Sequence, residues 1–244
     1  YTPAAAEVTG SLFLVYVDER GAVTWLDNSR YSAGKVLAEA PHFSTYGVAC
    51  KPAPAFADIS GHWAKDDVAF VAARGLLTGT GNKVFSPDGA MTRGMFVTAL
   101  GRLAGISPDS YKSRRFTDVK ADAYYAAYVE WAAQKGIVSG TGEGLFSPDA
   151  PVTREQLAVM MTNYAEQRGY TLPTPLAAVH FADSEQISAW AAEAVAAMQR
   201  AGIMAGKDEN RFDPQASATR AETSAVLRRF VERVIDPGGT QKEV

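Results

Sequence analysis

The sequence is short of the residues that most site chemistry needs. One cysteine, Cys50, stands among 244 residues, so no intrachain disulfide can form. Surface proteins and cytosolic proteins both manage without one, so the compartment stays open. The three histidines, His42, His62 and His180, lie far apart in the chain's pattern. No Ser-His-Asp, Cys-His or metal-ligand spacing forms around them, and no cofactor is implied. A dockerin-type calcium loop is missing too: Asp208-Glu-Asn210 alternates once and runs into Arg211-Phe212 without the required glycine. The longest apolar stretch, around Ser11–Val17, is far too short to span a bilayer. Surplus positive charge is also lacking. The formal net charge is -3 and the pI about 5.7, which argues against a general nucleic-acid binder. No signal peptide opens the chain, and Tyr1-Thr2-Pro3 reads like the middle of a longer protein, so the missing export signal carries no weight.

What is present is apolar content of 47%, enough for one or two folded domains. Two regions differ in character. Residues 1–50 read as a β-rich segment. Ser11–Val17 and Ala22–Leu26 flank a four-residue Asp18–Gly21 connection and predict a hairpin. Lys35–Ala38 and Phe43–Ala49 are two further candidate strands. A sheet of that size is marginal by itself. It either ends a larger β-sandwich or packs on the region C-terminal to it. Residues 51–55, Lys-Pro-Ala-Pro-Ala, form a short stiff linker.

Residues 56–234 repeat three times. Segments open at Phe56-Ala-Asp58, Phe116-Thr-Asp118 and Phe181-Ala-Asp183, spaced by 60 and 65 residues. Each holds an aromatic (Trp63, Tyr124, Trp190) on a first helix that closes at Gly75, Gly136 or Gly202, the left-handed position that ends a helix. Ser188 reads as the N-cap of the third such helix. Tyr124, Tyr128 and Trp131 share one helical face. A glycine loop comes next: Gly79-Thr80-Gly81, Gly140-Thr141-Gly142, and Gly206-Lys-Asp208. A Phe-x-Pro step then leads to a threonine–arginine pair seventeen residues after the glycine: Thr92-Arg93, Thr153-Arg154, Thr219-Arg220. Thr153-Arg-Glu-Gln156 and Thr219-Arg-Ala-Glu222 fit the capping box, whereas Thr92-Arg-Gly-Met95 keeps the cap and loses the box partner. No unit has apolar residues enough for its own core, so the three second helices are expected to bundle.

The arginines are the informative half of the pair. A cation in the first turn weakens a helix by roughly a few tenths of a kcal/mol. A carboxylate or phosphate ligand would reverse that by pairing with the guanidinium and with free N–H groups of the helix end. Pairing with Asp58, Asp118 or Asp183 would do so as well. The aromatics can be core or sugar platforms, and the glycine loops can be ligand cradles or plain turns. An arginine, a stacking aromatic and a polar glycine loop together suggest an acidic glycan.

Residues 56–234 resemble the S-layer homology repeat, which occurs as a trio. The resemblance rests on Phe-x-Asp, an early Trp, the helix-ending Gly, Gly-Thr-Gly, Phe-x-Pro and an intact Thr219-Arg-Ala-Glu222. It implies a mainly α fold: three helical repeats, 56–107, 116–168 and 181–234, in a pseudo-threefold arrangement around a central three-helix bundle. The small β segment precedes them, and residues 235–244 form a tail. It further implies a non-catalytic anchor, exported to the cell surface. Its partner would be a secondary cell-wall polysaccharide attached to peptidoglycan, often capped by pyruvylated N-acetylmannosamine. Carried over residue by residue, the ligand-binding set is Asp58, Trp63, Gly79, Thr80, Gly81 and Arg93 in the first unit. It is Asp118, Tyr124, Gly140, Thr141, Gly142 and Arg154 in the second, and Asp183, Trp190, Gly206 and Arg220 in the third. The departures from the pattern predict one or two productive grooves. A helical scaffold for protein contacts and an accessory domain of a secreted carbohydrate-active enzyme are the competing readings.

Overall fold

The computed structural model describes residues 2, 9–32, 34–40, 42 and 44–235. Nearly all of the 235–244 tail and most of the first eight residues lie outside the described residues, as does Phe43, where the last candidate strand was expected to start. Strand β1 (Leu12–Val17) buries Leu12, Phe13 and Val15. It pairs antiparallel with β2 (Val23–Trp25) in the register Val15↔Trp25. The turn between them holds because the Asp18 carboxylate accepts the Arg20 and Ala22 N–H groups and Gly21 takes φ +80°. Strands β3 (Arg30–Ser32) and β4 (Lys35–Leu37) form a second hairpin, of which only β4 was anticipated. Strand β5 (Tyr46–Cys50) completes the order β2-β1-β5.

This small sheet packs on the helical region. Arg74, buried at the end of the first helix, donates from Nη1 to the Gly10 carbonyl (2.7 Å) and from Nη2 to that of Ser29 (2.6 Å). Its guanidinium lies 4.5 Å from the Phe13 ring centroid and 3.4 Å from that of Phe70. Arg30 Nη1 reaches the Glu232 carbonyl at 2.9 Å, tying the sheet to the last helix.

Each repeat contributes two helices: α1 (Lys65–Ala73) and α2 (Arg93–Leu103), α3 (Ala126–Gln134) and α4 (Arg154–Gln167), α5 (Ala192–Arg200) and α6 (Arg220–Val234). The first helices stop as predicted. Gly75, Gly136 and Gly202 have φ of +66°, +70° and +67°. In each case the N–H of the next, apolar residue (Leu76, Ile137, Ile203) reaches back to Val71, Ala132 or Met198, the double-bonded left-handed stop. The second helices start as predicted: Thr92, Thr153 and Thr219 each accept the N–H three residues on, and both capping boxes form. Ser188 does not cap α5, whose N-cap is Ala191. Its N–H and Oγ instead donate to Glu155 at 3.0 Å each, so the serine is spent on a neighbouring repeat. Trp63, Tyr124 and Trp190 each fall two residues before their helix, so Tyr124 does not share a helical face with Tyr128 and Trp131.

The helices pack across repeats. Among the described residues, the close helix pairs are α2 with α3, α4 with α5, and α6 with α1. Each second helix lies against the next repeat's first helix, and the last lies against the first. One apolar core runs through all three repeats, from Ile59 to Ile235. Backbone bonds close the same cycle. The Met91 N–H donates to Ala218 (2.9 Å), the Ala218 N–H to Val152 (2.9 Å), and the Val152 N–H to Met91 (2.8 Å). These three residues immediately precede the threonine caps, so the second helices enter the core from one ring of hydrogen bonds.

Candidate functional site

The three arginines are buried, at 5% (Arg93), 6% (Arg154) and 4% (Arg220) exposure. Each is held by the next repeat. Arg93 Nε donates to Phe146 (2.9 Å) and Nη2 to Ser139 (2.9 Å). Arg154 does the same to Phe212 (2.7 Å) and Ala205 (2.8 Å). Arg220 closes the cycle onto the first repeat, through Phe85 (2.9 Å) and Thr78 (2.6 Å). Each guanidinium also covers the ring of the phenylalanine it bonds, at 4.6, 4.9 and 4.4 Å. Burial pushes all three pKa values below the ordinary arginine value, and nearby carboxylates or Tyr124 oppose the shift. The groups stay cationic, as arginine does in proteins.

The pairing of these arginines with the repeat aspartates does not hold, and an anion at the guanidinium would find no free helix-end N–H groups beside it. Among the described residues, none forms an ion pair with Asp58, Asp118 or Asp183. Nor are the helix-end N–H groups free for a ligand. Arg93 N and Gly94 N donate to Ala150 and Pro148, Arg154 N and Glu155 N to Ala216 and Pro214, and Arg220 N and Ala221 N to Gly89 and Pro87. The backbone ring consumes the donors that an anion would have used.

The aspartates serve the same phenylalanines from the other side. Asp58 accepts the N–H groups of Phe85 and Ser86, Asp118 those of Phe146 and Ser147, and Asp183 those of Phe212 and Asp213. Ser86, Ser147 and Asp213 sit at φ of +58°, +57° and +53°, a costly conformation for a residue with a Cβ. The carboxylate holds that turn. Its bonds to the Phe85 and Ser86 N–H groups keep the Asp58 carboxyl below the usual range. At Asp183 burial works upward, yet the bonds from Phe212 and Asp213 leave the net shift downward. Each phenylalanine peptide is thus pinned twice: N–H by its own repeat's aspartate, C=O by the preceding repeat's arginine.

The first glycine of each loop is there for space. A Cβ on Gly79 would stand 2.7 Å from the Val84 carbonyl oxygen and from Phe56. On Gly140 it would meet the Leu145 oxygen at 2.5 Å, and on Gly206 it would meet Phe181 at 2.8 Å. The loop presses on the Phe-x-Asp phenylalanine of its own repeat. Thr80 and Thr141 cross the loop to Ser86 and Ser147, each hydroxyl pair 2.8 Å apart. Gly81 and Gly142 each bridge to the strand-like residue three positions on. The third loop, which lacks the Gly-Thr-Gly pattern, keeps the same pair of left-handed residues at Glu209 and Asn210 that the others place at Asn82-Lys83 and Glu143-Gly144.

The aromatics are outside the core: Trp63 is 63% exposed, Tyr124 58% and Trp190 59%. They wall three grooves, each drawing on all three repeats. Trp190 stands with Arg93, Ser139-Gly140-Thr141 and α4 around about 510 Å³. Tyr124 stands with Arg220, Thr78-Gly79-Thr80 and α2 around about 430 Å³. Trp63 stands with Arg154, Gly206-Lys207 and α6 around about 190 Å³. Eleven of the sixteen expected residues line these grooves, and they are regrouped across repeats: in no groove do the aromatic, the arginine and the loop come from one unit. The three aspartates, Gly81 and Gly142 line none of the three grooves.

Two positions on the second helices were missed. The residue two after each arginine lies in a groove: Met95 beside Tyr124, Gln156 beside Trp190, Glu222 beside Trp63. The residue nine after it does too, as Arg102, Asn163 and Arg229, each donating to the carbonyl after its own repeat's helix-ending glycine. The two positions are seven apart and share a helix face with each other, but that face is nearly opposite the arginine, so spacing from the arginine does not point to them. They make the grooves unequal. In the Trp63 groove, Glu222 Oε1 pairs with Arg154 (3.4 Å) and Lys207 (3.1 Å), and the space is the smallest. In the Tyr124 groove, the one hydrogen-bond partner of Arg220 Nη1 among the described residues is the Met95 sulfur at 3.9 Å. In the Trp190 groove, Arg93 Nη1 has no protein acceptor among the described residues.

Among the described residues no group of three His, Cys, Asp or Glu side chains could hold a metal, and no helix is long and apolar enough to cross a membrane. The chain is 33% identical over 209 residues to an amylopullulanase of Thermoanaerobacterium thermosulfurigenes, covering 83% of this chain and 11% of that protein. It is 30% identical over 226 residues to Exoglucanase XynX of Acetivibrio thermocellus, covering 87% and 20%. A cellulosome-anchoring protein of the same organism is 27% identical over 162 residues, covering 65% and 36%. The chain thus spans a minor part of each relative's length. Residues 55–94, 115–158 and 180–224, just over half of the chain, match the family described as the S-layer homology domain. Those stretches fall on the three repeats whose turns, caps and arginines form the cross-repeat cycle, and the chain belongs to the S-layer homology domain family.

Proposed function

We propose that this chain holds its parent protein at the cell surface by binding an anionic, pyruvylated secondary cell-wall polysaccharide in the grooves between repeats. The observation that carries this reading is the regrouping of exposed aromatic, buried arginine and glycine loop into one groove, each from a different repeat. The ring face stacks on a sugar, and the guanidinium supplies the remaining charge to a pyruvyl carboxylate. Membership of the family and the likeness to a protein named for anchoring support it. The repeats span 56–107, 116–168 and 181–234 and are related by a pseudo-threefold axis, with α2, α4 and α6 at the centre. The cyclic helix pairs and the backbone ring support that arrangement. This segment is not itself catalytic. The enzymes among the relatives share only a minor part of their length with it, so any catalytic domain belongs to the rest of the parent protein.

Sedimentation with purified cell walls tests the reading. The chain pellets with intact walls and stays in solution after chemical removal of the secondary polymer. Tyr124→Ala with Trp190→Ala loses pelleting while thermal stability is unchanged, because both rings are exposed. Equal pelleting on stripped walls overturns the polysaccharide reading.

A further inference from the structure

A second cavity adjoins the Tyr124 groove. It holds about 400 Å³ between the segment joining the first two repeats and the start of α3, and Tyr124 lines both spaces. Its rim carries Lys112, Arg114 and Arg115, three cations within four residues of a chain whose net charge is -3. The acid in this cavity, Glu130, is 5% exposed and already occupied. One oxygen accepts the Arg115 N–H at 3.1 Å and the other the Gln134 amide at 2.8 Å. Among the described residues, Lys112 pairs only with the exposed Asp109, at 3.8 Å. Among the described residues, no hydrogen bond or ion pair engages the guanidinium of Arg114 or Arg115.

The other aromatics have no such neighbour. Residues 169–180, which lead into the third repeat, contain no lysine or arginine. Lys51, ahead of Trp63, lies over the Trp25 ring at 5.6 Å. The uncompensated cations therefore gather beside the one groove whose arginine faces a thioether, with Arg102 adding a further charge. Three cations against the single carboxylate of Glu130 leave the cleft net positive, and such a cleft concentrates anions. An exposed ring shared by two cavities offers a continuous face to a chain of sugars.

Building on the anchoring reading, we propose that the polysaccharide held in the Tyr124 groove continues over the Tyr124 ring into this cleft. There Arg114 and Arg115 receive the anionic substituent of the next repeating unit, with Lys112 at the rim. The site reads polymer length as well as terminal chemistry.

The test uses the full chain and fragments of pyruvylated wall polysaccharide, fractionated into single-repeat and multi-repeat lengths, with calorimetry as the readout. A polyol-phosphate polymer of matched length is a third probe. Two exposed ion pairs at about 0.2–1 kcal/mol each correspond to roughly a tenfold effect when both are lost. Arg114→Ala with Arg115→Ala is therefore expected to weaken multi-repeat binding roughly tenfold, to leave single-repeat binding unchanged, and to flatten the salt dependence. Equal loss on both lengths, or loss on neither, overturns the extended site while the groove reading stands. Equal loss on the phosphate polymer makes the cleft a general polyanion patch and overturns it as a glycan subsite. Failure of the unaltered chain to bind either fragment overturns the anchoring reading together with this one.

Discussion

Replacing Arg220 with alanine cuts the bond that closes the cycle of repeats. Arg220 Nε and Nη2 reach Phe85 and Thr78, residues 135 and 142 positions away in the chain. Hydrogen bonds from charged groups contribute about 1.5–3 kcal/mol each. Two such bonds give about 3–6 kcal/mol, and water entering along the open groove returns part of that. The net loss is then about 3 kcal/mol, to which the lost cover over the Phe85 ring contributes. At about 2–4 °C per kcal/mol for a chain of this size, Tm falls by roughly 6–12 °C. Arg220→Lys keeps the charge but cannot span two carbonyls with one planar fork, so it recovers only part of the loss. Differential scanning calorimetry on the two variants and the parent chain measures both. A fall of under about 2 °C for Arg220→Ala would refute the claim that this side chain ties the third repeat to the first.

The same geometry sets three further outcomes. Gly140→Ala sets a Cβ 2.5 Å from the Leu145 oxygen and 2.8 Å from Phe116, and costs at least about 2 kcal/mol in denaturant unfolding, whereas Gly61→Ala, with nothing within 4 Å, is near neutral. Burial pushes the Asp27 carboxyl up to about 6 from 3.8, against the pull of Lys51 and Arg74. Stability from this group is therefore complete below its unfolded value and lost as pH rises through about 6. Asp27→Asn is expected to match the parent at pH 4 and to exceed it by about 1–3 kcal/mol at pH 7.5; equal stability at both would remove the basis for that sign. Glu222→Gln keeps a capping box like the one at Gln156, frees Arg154 and Lys207, and raises affinity for pyruvylated fragments several-fold with under about 1 kcal/mol change in stability; unchanged affinity would mean the Trp63 groove takes no ligand.

Local features were legible in the sequence. The helix-ending glycines, the threonine caps and the β1–β2 hairpin each depend on a few neighbouring residues, and spacing reveals them. The partners of the arginines were not. Arg93, Arg154 and Arg220 act across 46 to 142 positions, and nothing near them in sequence says which repeat they serve. The acceptor role of the aspartates was illegible for the same reason, since it is fixed by a turn 27 to 30 residues away. The packing role of the repeat glycines was also illegible: contact of Gly79, Gly140 and Gly206 with Phe56, Phe116 and Phe181 requires the absence of a Cβ, and spacing does not show it. Strand β3, Arg-Tyr-Ser, is too short to show an alternation. Ser188 looked like a cap because serine before an alanine-rich helix usually is one, and only the packing of α5 on α4 brings Glu155 to it.

The unequal grooves come from one side chain answering two demands. The residue two after each arginine is the capping-box position and also a groove wall. At Glu222 the carboxylate divides: Oε2 accepts the Thr219 N–H at 2.9 Å, and Oε1 pairs with both Arg154 and Lys207. That is the best cap and the least available cation. At Gln156 the amide oxygen caps Thr153 at 3.3 Å without adding charge, and Arg93 keeps an unclaimed Nη1 in that groove. At Met95 the box is lost, and Arg220 keeps its charge with a thioether beside it. The strongest cap, Glu222, thus stands beside the least available arginine, while the weaker caps at Gln156 and Met95 set no carboxylate against theirs. The cross-repeat cycle is what permits this division: because every repeat is braced by its neighbours, α2 tolerates a weaker cap, and its groove is left free to carry charge.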